Sequence, residues 1–186
     1  MSNDNTSLFS NAPSVNSSGT LTFTSATDAN GSATVTVSVS DNGGTSNGGD
    51  NISPNQTFTI TVIAVDDSPT VSSAISNQTV NEDASNTTID LTSVFTDIDN
   101  DDSAITKTIQ SNSNSSLVSA SISGNTLTLD YESNQNGSAT ITVRGTSNGL
   151  TVDDYFTVTV TAVNDEPSFT KGLDITVNED SGTSTT

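Results

Sequence analysis

Acidic side chains are the residues of this sequence best suited to chemistry, and many of them lie in short clusters. The sequence has 22 Asp and Glu residues against three Lys and Arg residues, which gives a net charge of -19. Closely spaced carboxylates repel one another, and so few cations cannot neutralise them. A hard divalent ion that takes roughly six to eight oxygen ligands can. The clusters are Asp66-Asp67, Glu82-Asp83, residues 97–102, Asp130 with Glu132, residues 164–166, and Glu179-Asp180.

The run at residues 97–102 has the spacing most typical of a ligand set. Its alternate positions are Asp97, Asp99 and Asp101. If the loop is extended, alternate side chains point the same way, so these three carboxylates would converge on one point. The alternative is a solvated loop of acids that binds no ion, which is what charge runs usually are.

Composition removes several functional classes. The sequence has no Cys and no His, which excludes disulfides and removes the usual general base and transition-metal ligand. Nothing could neutralise phosphates, so nucleic acids and anionic membranes are not expected partners. No apolar run approaches the roughly 20 residues that a membrane span needs. We therefore expect cations as partners and no membrane insertion.

A repeat positions the acidic clusters. Residues 57–69, TFTITVIAVDDSP, return as residues 155–167, YFTVTVTAVNDEP, and the two final prolines are 98 residues apart. Each copy is an alternating strand that runs into a short acidic hinge and a proline. The period matches the size of one immunoglobulin-like sandwich. The acidic pairs therefore fall at predicted domain ends.

Period-two patterning predicts the strands. Apolar residues alternate with Thr and Ser at residues 20–24, 32–40 and 57–65, which is typical of half-buried antiparallel strands. Residues 41–54 read as a long Gly- and Asn-rich hairpin loop, and residues 71–75 and 168–180 as leading strands. We predict an all-β fold of tandem antiparallel β-sandwiches joined by short acidic linkers.

The chain resembles cadherin-type tandem repeats of large bacterial surface and secreted proteins. The linkers AVDDSP and AVNDEP resemble the cadherin linker DxNDNxP, although Ala64 and Ala162 replace its first ligand. Residues 23–25, FTS, also depart from the acidic DxE triplet expected in the first repeat. The further matching features are Asp97-Ile98-Asp99 for the DxD motif, Asp130-Tyr131-Glu132 for DRE with Tyr131 replacing the arginine, and Glu82 for the acid that ends the first strand.

The resemblance implies three segments and two calcium sites. Residues 1–66 would be the C-terminal part of one repeat, 67–166 a complete repeat and 167–186 the first strand of a third, in a piece of a longer secreted chain. Calcium is expected at an upper site and at a half-formed lower site. The upper site would gather Asp97, Asp99 and Asp101 against Asp66 and Asp67, and the lower site Glu82, Asp130, Glu132, Asn164 and Asp165.

The expected function is mechanical. Ca²⁺ would neutralise the linker acids and stiffen an extracellular stalk that holds a tip away from a cell or builds a surface or biofilm fibre. The alternative is a calcium-dependent carbohydrate-binding or self-adhesion module. A minority hypothesis has residues 168–180 complete the front sheet of another copy, head to tail. Carboxylate pairs can serve a glycosidase, but linker positions account for them here, so we predict no enzymatic activity.

Overall fold

The computed structural model describes residues 1–180 and 182. Its regular structure is made of β-strands and three short 3₁₀ turns at Thr6–Leu8, Ser46–Gly48 and Asp102–Ala104. The strands are β1 (Ser2–Asn3), β2 (Phe9–Val15), β3 (Leu21–Ser25), β4 (Gly31–Val37), β5 (Gln56–Val62), β6 (Thr70–Val71), β7 (Gln78–Asn81), β8 (Thr87–Asp90), β9 (Phe95–Thr96), β10 (Thr106–Asn112), β11 (Val118–Ser123), β12 (Thr126–Tyr131), β13 (Gly137–Ser147) and β14 (Leu150–Thr161).

Two sheets enclose the larger core. One has the order β10-β13-β14-β7 and the other β11-β12-β8, with β6 and β9 paired separately. Alternate residues of both sheets are buried in one cluster, for example Leu127 and Leu129 of β12 with Ile141 of β13 and Phe156 of β14. The predicted all-β fold with antiparallel sheets is therefore confirmed at this level.

The long β13–β14 hairpin is the main support of this core. Its strands pair from Gly137 with Val160 to Ser147 with Leu150. The turn between them is Asn148-Gly149, and both residues have positive φ, 45° and 89°. An Asn-Gly pair is the sequence that a type I′ hairpin turn favours, because both central residues need φ above zero. The turn places Asn148 at one end of the sandwich.

One pairing differs from the predicted antiparallel arrangement. The β7 strand lies parallel to β14, with Val80 opposite Val160 and Asn81 opposite Thr161. The leading segment divides between two partners, because β6 pairs with β9 before β7 joins β14. As a result the carboxyl ends of β7 and β14 lie at the same edge of the sheet.

A smaller core lies among the first 62 residues. Strands β1, β4 and β5 form one sheet, and β2 and β3 form another. The Phe9 and Phe23 rings meet edge to face, with centroids 5.8 Å apart. The buried residues are Leu8, Phe9, Ala33, Val35 and Ile60, and none of them belongs to the larger core. The boundaries 1–66, 67–166 and 167–186 stay predictions.

One predicted strand is absent, and another is shorter than predicted. Residues 168–180 contain no strand, and Phe169 and Leu173 are 88% and 95% exposed. A strand needs a neighbour for its backbone hydrogen bonds, and this segment pairs with none of the described strands. The leading strand at 71–75 shrinks to β6, because the Ser72 and Ser73 N–H groups both donate to Val94 O. In the part of the chain covered by the structure, no helix is long and apolar enough to cross a membrane.

Candidate functional site

The linker acids and the DxD loop meet at the junction between the two cores. The Asp66 carboxylate accepts hydrogen bonds from Asn100 Nδ2 at 2.8 Å and from Asn148 Nδ2 at 3.1 Å. The backbone N–H of Asp67 donates to Asp99 Oδ2 at 2.8 Å. Four of the five acids predicted for the upper site, Asp66, Asp67, Asp97 and Asp99, thus lie in one network. We call these four acids with Asn100 and Asn148 the junction site.

Asp97 is the buried centre of the junction site. Its Oδ1 accepts the N–H groups of Asp99 at 2.9 Å and Asn100 at 3.0 Å. The loop is therefore folded back on Asp97 and is not the extended run that the alternation suggested. The residue is 8% exposed, and its Oδ2 is buried without a hydrogen-bond partner. Buried polar atoms are nearly always partnered, so an orphaned carboxylate oxygen marks a place where a missing cation or donor would fit.

Several donors hold Asp97 in its charged form. The pKa of Asp97 is lowered from its ordinary value of 3.8, most strongly by the neighbouring Ser147 hydroxyl and then by the N–H groups of Asp99 and Asn100. Burial acts in the opposite direction. Ser147 is itself buried, and Oδ2 of Asp97 has no hydrogen-bond partner. The site therefore contains a buried negative charge.

The structure does not bring Asp101 to the other acids. Its Oδ1 accepts the N–H of Ser103 at 2.8 Å and caps the 3₁₀ turn at Asp102–Ala104. This bond lowers the pKa of Asp101. Asp102 also has a local structural role, because its carboxylate accepts the Asp97 N–H at 2.8 Å and the Thr96 hydroxyl. The second half of the acidic run stabilises its own loop.

The lower site stays a prediction, and the described residues place no group of three acids there that could hold a metal ion. Glu82 is 8% exposed, and its Oε1 accepts the N–H of Val163 at 2.5 Å. This bond follows from the parallel pairing of β7 with β14, which puts the two strand ends side by side. The other four predicted ligands are exposed, and they comprise Asp130, Glu132, Asn164 and Asp165.

A ready-made metal centre is not present in the described residues. No group of three or more His, Cys, Asp or Glu side chains has the arrangement needed to bind a metal ion. At the junction the carboxylates of Asp66 and Asp99 are already occupied by N–H donors. A cavity of about 190 Å³ lies beside them and is lined by Asp28, Asp67 and Asp99, among others. A liquid water molecule takes roughly 30 Å³, so the cavity has room for a hydrated cation.

Sequence reasoning missed Asn100, Asn148 and Ser147. Neither asparagine stands out in a chain so rich in Asn. The Asn148-Gly149 pair is a hairpin signal, and placing that turn at the end of the sandwich that carries the DxD loop would have brought Asn148 to the linker. Ser147 follows from the same hairpin, since it is the last residue of β13.

No family model matches the sequence, and no curated protein matches it. Solved structures show weak similarity to the chain, and three are described here. Two are endo-fucoidan hydrolases from glycoside hydrolase family 107: MfFcnA4, with 19% identity and a TM-score of 0.38, and MfFcnA9, with 20% and 0.34. The third is an S-layer protein, with 17% and 0.31. They match 82%, 80% and 89% of this chain, which in turn spans 22%, 25% and 20% of theirs.

These neighbours correct one prediction. We predicted that the chain is not an enzyme, and this is contradicted because two of the similar structures are glycoside hydrolases. The prediction is therefore withdrawn. The chain covers a quarter or less of each neighbour's length, and the hydrolysis of fucoidan is a property of those proteins.

Proposed function

We propose that this chain is part of an extracellular stalk of cadherin-like β-sandwiches, in which calcium fixes the angle between neighbouring sandwiches at Asp66 and Asp67. The observation that carries the proposal is the orphaned Oδ2 of Asp97, which is buried at the point where the linker meets the second sandwich. A divalent cation would supply this oxygen with a partner. It would also offset part of the net charge of -19.

The chemistry of the donor set fits calcium. Ca²⁺ prefers carboxylate and amide carbonyl oxygens in a flexible shell, and the junction site offers both kinds. Asp66, Asp67, Asp97 and Asp99 would hold the ion, which supplies charge neutralisation. Asn100 and Asn148 now present Nδ2 to Asp66, and rotation of either side-chain amide by half a turn presents Oδ1 instead.

The junction hydrogen bonds explain why an ion would stiffen the linker. Both contacts of Asp66 are exposed hydrogen bonds to side-chain amides, and such bonds contribute only about 1 kcal/mol each. Water competes with them, so the ion-free hinge opens easily. An ion shared by both sides of the hinge would replace several weak contacts with strong ones. Such a stalk resists bending, which suits the role of holding a tip away from a cell.

Calorimetry and small-angle scattering test the proposal together. Calcium is titrated into chelator-treated protein, into the double variant Asp97→Ala with Asp99→Ala, and into the control Asp130→Ala with Glu132→Ala, which removes the same charge from the opposite end. We expect binding and a narrower distribution of lengths in the wild type and the control, and neither in the junction variant. Equal calcium binding by all three proteins would refute the assignment to the junction.

A further inference from the structure

Lys107 has an unusual environment in such an acidic chain. It lies on the inward side of β10, the edge strand of the four-stranded sheet, and is 8% exposed. The other two cations form ion pairs, Arg144 with Asp153 and Lys171 with Asp174. Lys107 has no carboxylate of a described residue within 4.0 Å. Its Nζ instead donates a hydrogen bond to Asn125 Oδ1 at 2.9 Å.

The backbone fixes Asn125 opposite this lysine. Asn125 follows Gly124 in the tight turn between β11 and β12, which belong to the other sheet. Gly124 has a φ of 59°, as such turns require. The carbonyl oxygen of Asn125 accepts the N–H of Leu91 at 2.7 Å. The contact between Lys107 and Asn125 therefore joins the two sheets, and backbone hydrogen bonds fix the position of each residue.

A buried ammonium group is stable when carboxylates or several acceptors surround it. Lys107 has three N–H donors and one described acceptor, an amide oxygen. The carbonyl carbon of that amide is one bond, about 1.2 Å, beyond the oxygen. A primary amine held this close to a carboxamide is positioned to replace the nitrogen of that amide. We propose that Lys107 and Asn125 condense to an intramolecular isopeptide bond that joins the two sheets.

The step balances without a further reactant. The Nζ of Lys107 attacks Cγ of Asn125, the new C–N bond forms, and the bond from Cγ to Nδ2 breaks. A proton moves from the attacking nitrogen to the leaving one, which departs as ammonia. Asn125 is exposed, so the ammonia escapes into solvent. The product is a secondary amide, and it leaves no charge at the buried position.

Lys107 must lose a proton before its nitrogen can attack. Solvent takes up this proton and later protonates the departing ammonia, so the net products are the secondary amide and an ammonium ion.

Trypsin digestion with mass spectrometry tests this directly, because Lys107, Arg144 and Lys171 are the only tryptic sites. The bond modifies Lys107, so denatured wild-type protein should keep residues 1–144 as one fragment. Its mass should be one ammonia below that of the sequence. Lys107→Arg and Asn125→Ala should have the full mass, and Lys107→Arg should be cut after position 107. Cleavage after Lys107 in denatured wild-type protein would overturn the proposal.

A second source of ammonia loss needs a control. Asn-Gly pairs such as Asn136-Gly137 also lose ammonia when they close to a succinimide, but this leaves Lys107 cleavable. A lower mass together with normal cleavage therefore counts against the isopeptide.

Discussion

Asn148 donates a hydrogen bond to the Asp66 carboxylate at 3.1 Å, although the two residues are 82 positions apart. The donor is at the tip of the β13–β14 hairpin, and the acceptor is in the linker that follows β5. The contact ties the linker to the most extensively paired hairpin of the larger core. The hairpin tip is thus one of the two contacts that set the position of Asp66.

Replacing Asn148 with Asp should make the junction depend on calcium. Without the ion, a second carboxylate would face Asp66 and repel it, so the Asp67 N–H should exchange faster than in the wild type. With the ion, the added charge should tighten binding about tenfold, because ligand charge sets calcium affinity. Asp tolerates the positive φ of this position. Amide exchange and calorimetry measure the two effects.

The matched control is Asn134→Asp. Asn134 also has a positive φ, 56°, and lies in the β12–β13 turn, where its N–H contacts Asp83 at the predicted lower end. The substitution adds the same charge at a distance from Asp66. If it changed calcium affinity as much as Asn148→Asp does, the effect would come from net charge and the junction would have no special role.

Acid should open the DxD loop only below pH 3.8. The folded-state pKa of Asp97 is lowered from 3.8, so its contribution to stability is fully present above that value. It is lost as the pH falls through the lower folded-state pKa. Protonation weakens the acceptor of the Asp99 and Asn100 N–H groups. Their protection from exchange, followed by NMR, should therefore be constant from pH 7 to pH 4 and fall below 3.8.

The Glu132 N–H provides the reference for this titration. It donates to the backbone oxygen of Leu117 at 3.0 Å, which has no proton to gain in this range. Its protection should persist while that of Asp99 and Asn100 declines. Loss of protection at Asp99 already at pH 5 would contradict the lowered pKa of Asp97.

The features that depend on local residue patterns could be predicted from the sequence. Alternation placed β3, β4 and β5 close to their observed bounds. The resemblance to cadherin repeats placed Asp97 and Asp99 against the linker, where Asp99 accepts the Asp67 N–H. Alternation failed at Asp101, because its carboxylate can accept the backbone N–H two residues further along the chain. This local contact costs less entropy than bringing the carboxylate together with distant acids. The Asp101–Ser103 bond is such a cap.

Contacts between distant elements could not be predicted from one sequence. The parallel pairing of β7 with β14 buries Glu82 against Val163, and no local pattern distinguishes this from an antiparallel pairing. The strand expected at 168–180 has a suitable pattern, but a pattern forms a strand only beside a partner. Lys107 and Asn125 meet only because two sheets face each other.

Gly145→Ala should destabilise the larger core by about 2 kcal/mol, as overpacking does. A Cβ at this position would lie 2.8 Å from Phe95 Cγ, and Phe95 is 1% exposed, so neither group has room to move. Chemical denaturation measures the change. The cost should shrink in a Phe95→Ala background, because alanine lacks the Cγ and ring atoms that the added Cβ would meet. Gly172→Ala is the control, since nothing lies near its Cβ position, and its midpoint should stay that of the wild type.

Asp154 should be the carboxylate whose loss most weakens the larger core. It is 7% exposed, and its Oδ2 accepts the buried N–H of Ile75 at 2.7 Å, a contact that joins β14 to the segment between β6 and β7. Asp154→Ala would leave that N–H without a partner, which costs about 2 kcal/mol. Asp154→Asn keeps an acceptor oxygen and should recover much of the loss.

The neighbouring Asp153 separates this hydrogen bond from a general charge effect. Its carboxylate lies at the surface and pairs with Arg144 at 2.7 Å, and exposed ion pairs contribute little. Urea unfolding of chelator-treated protein should therefore show a large fall in midpoint for Asp154→Ala and a small one for Asp153→Ala. Because both variants remove one negative charge, relief of repulsion is common to them and cancels in the comparison. Equal midpoints would mean that the Ile75 N–H finds another acceptor, and that Asp154 does not fix the leading segment to β14.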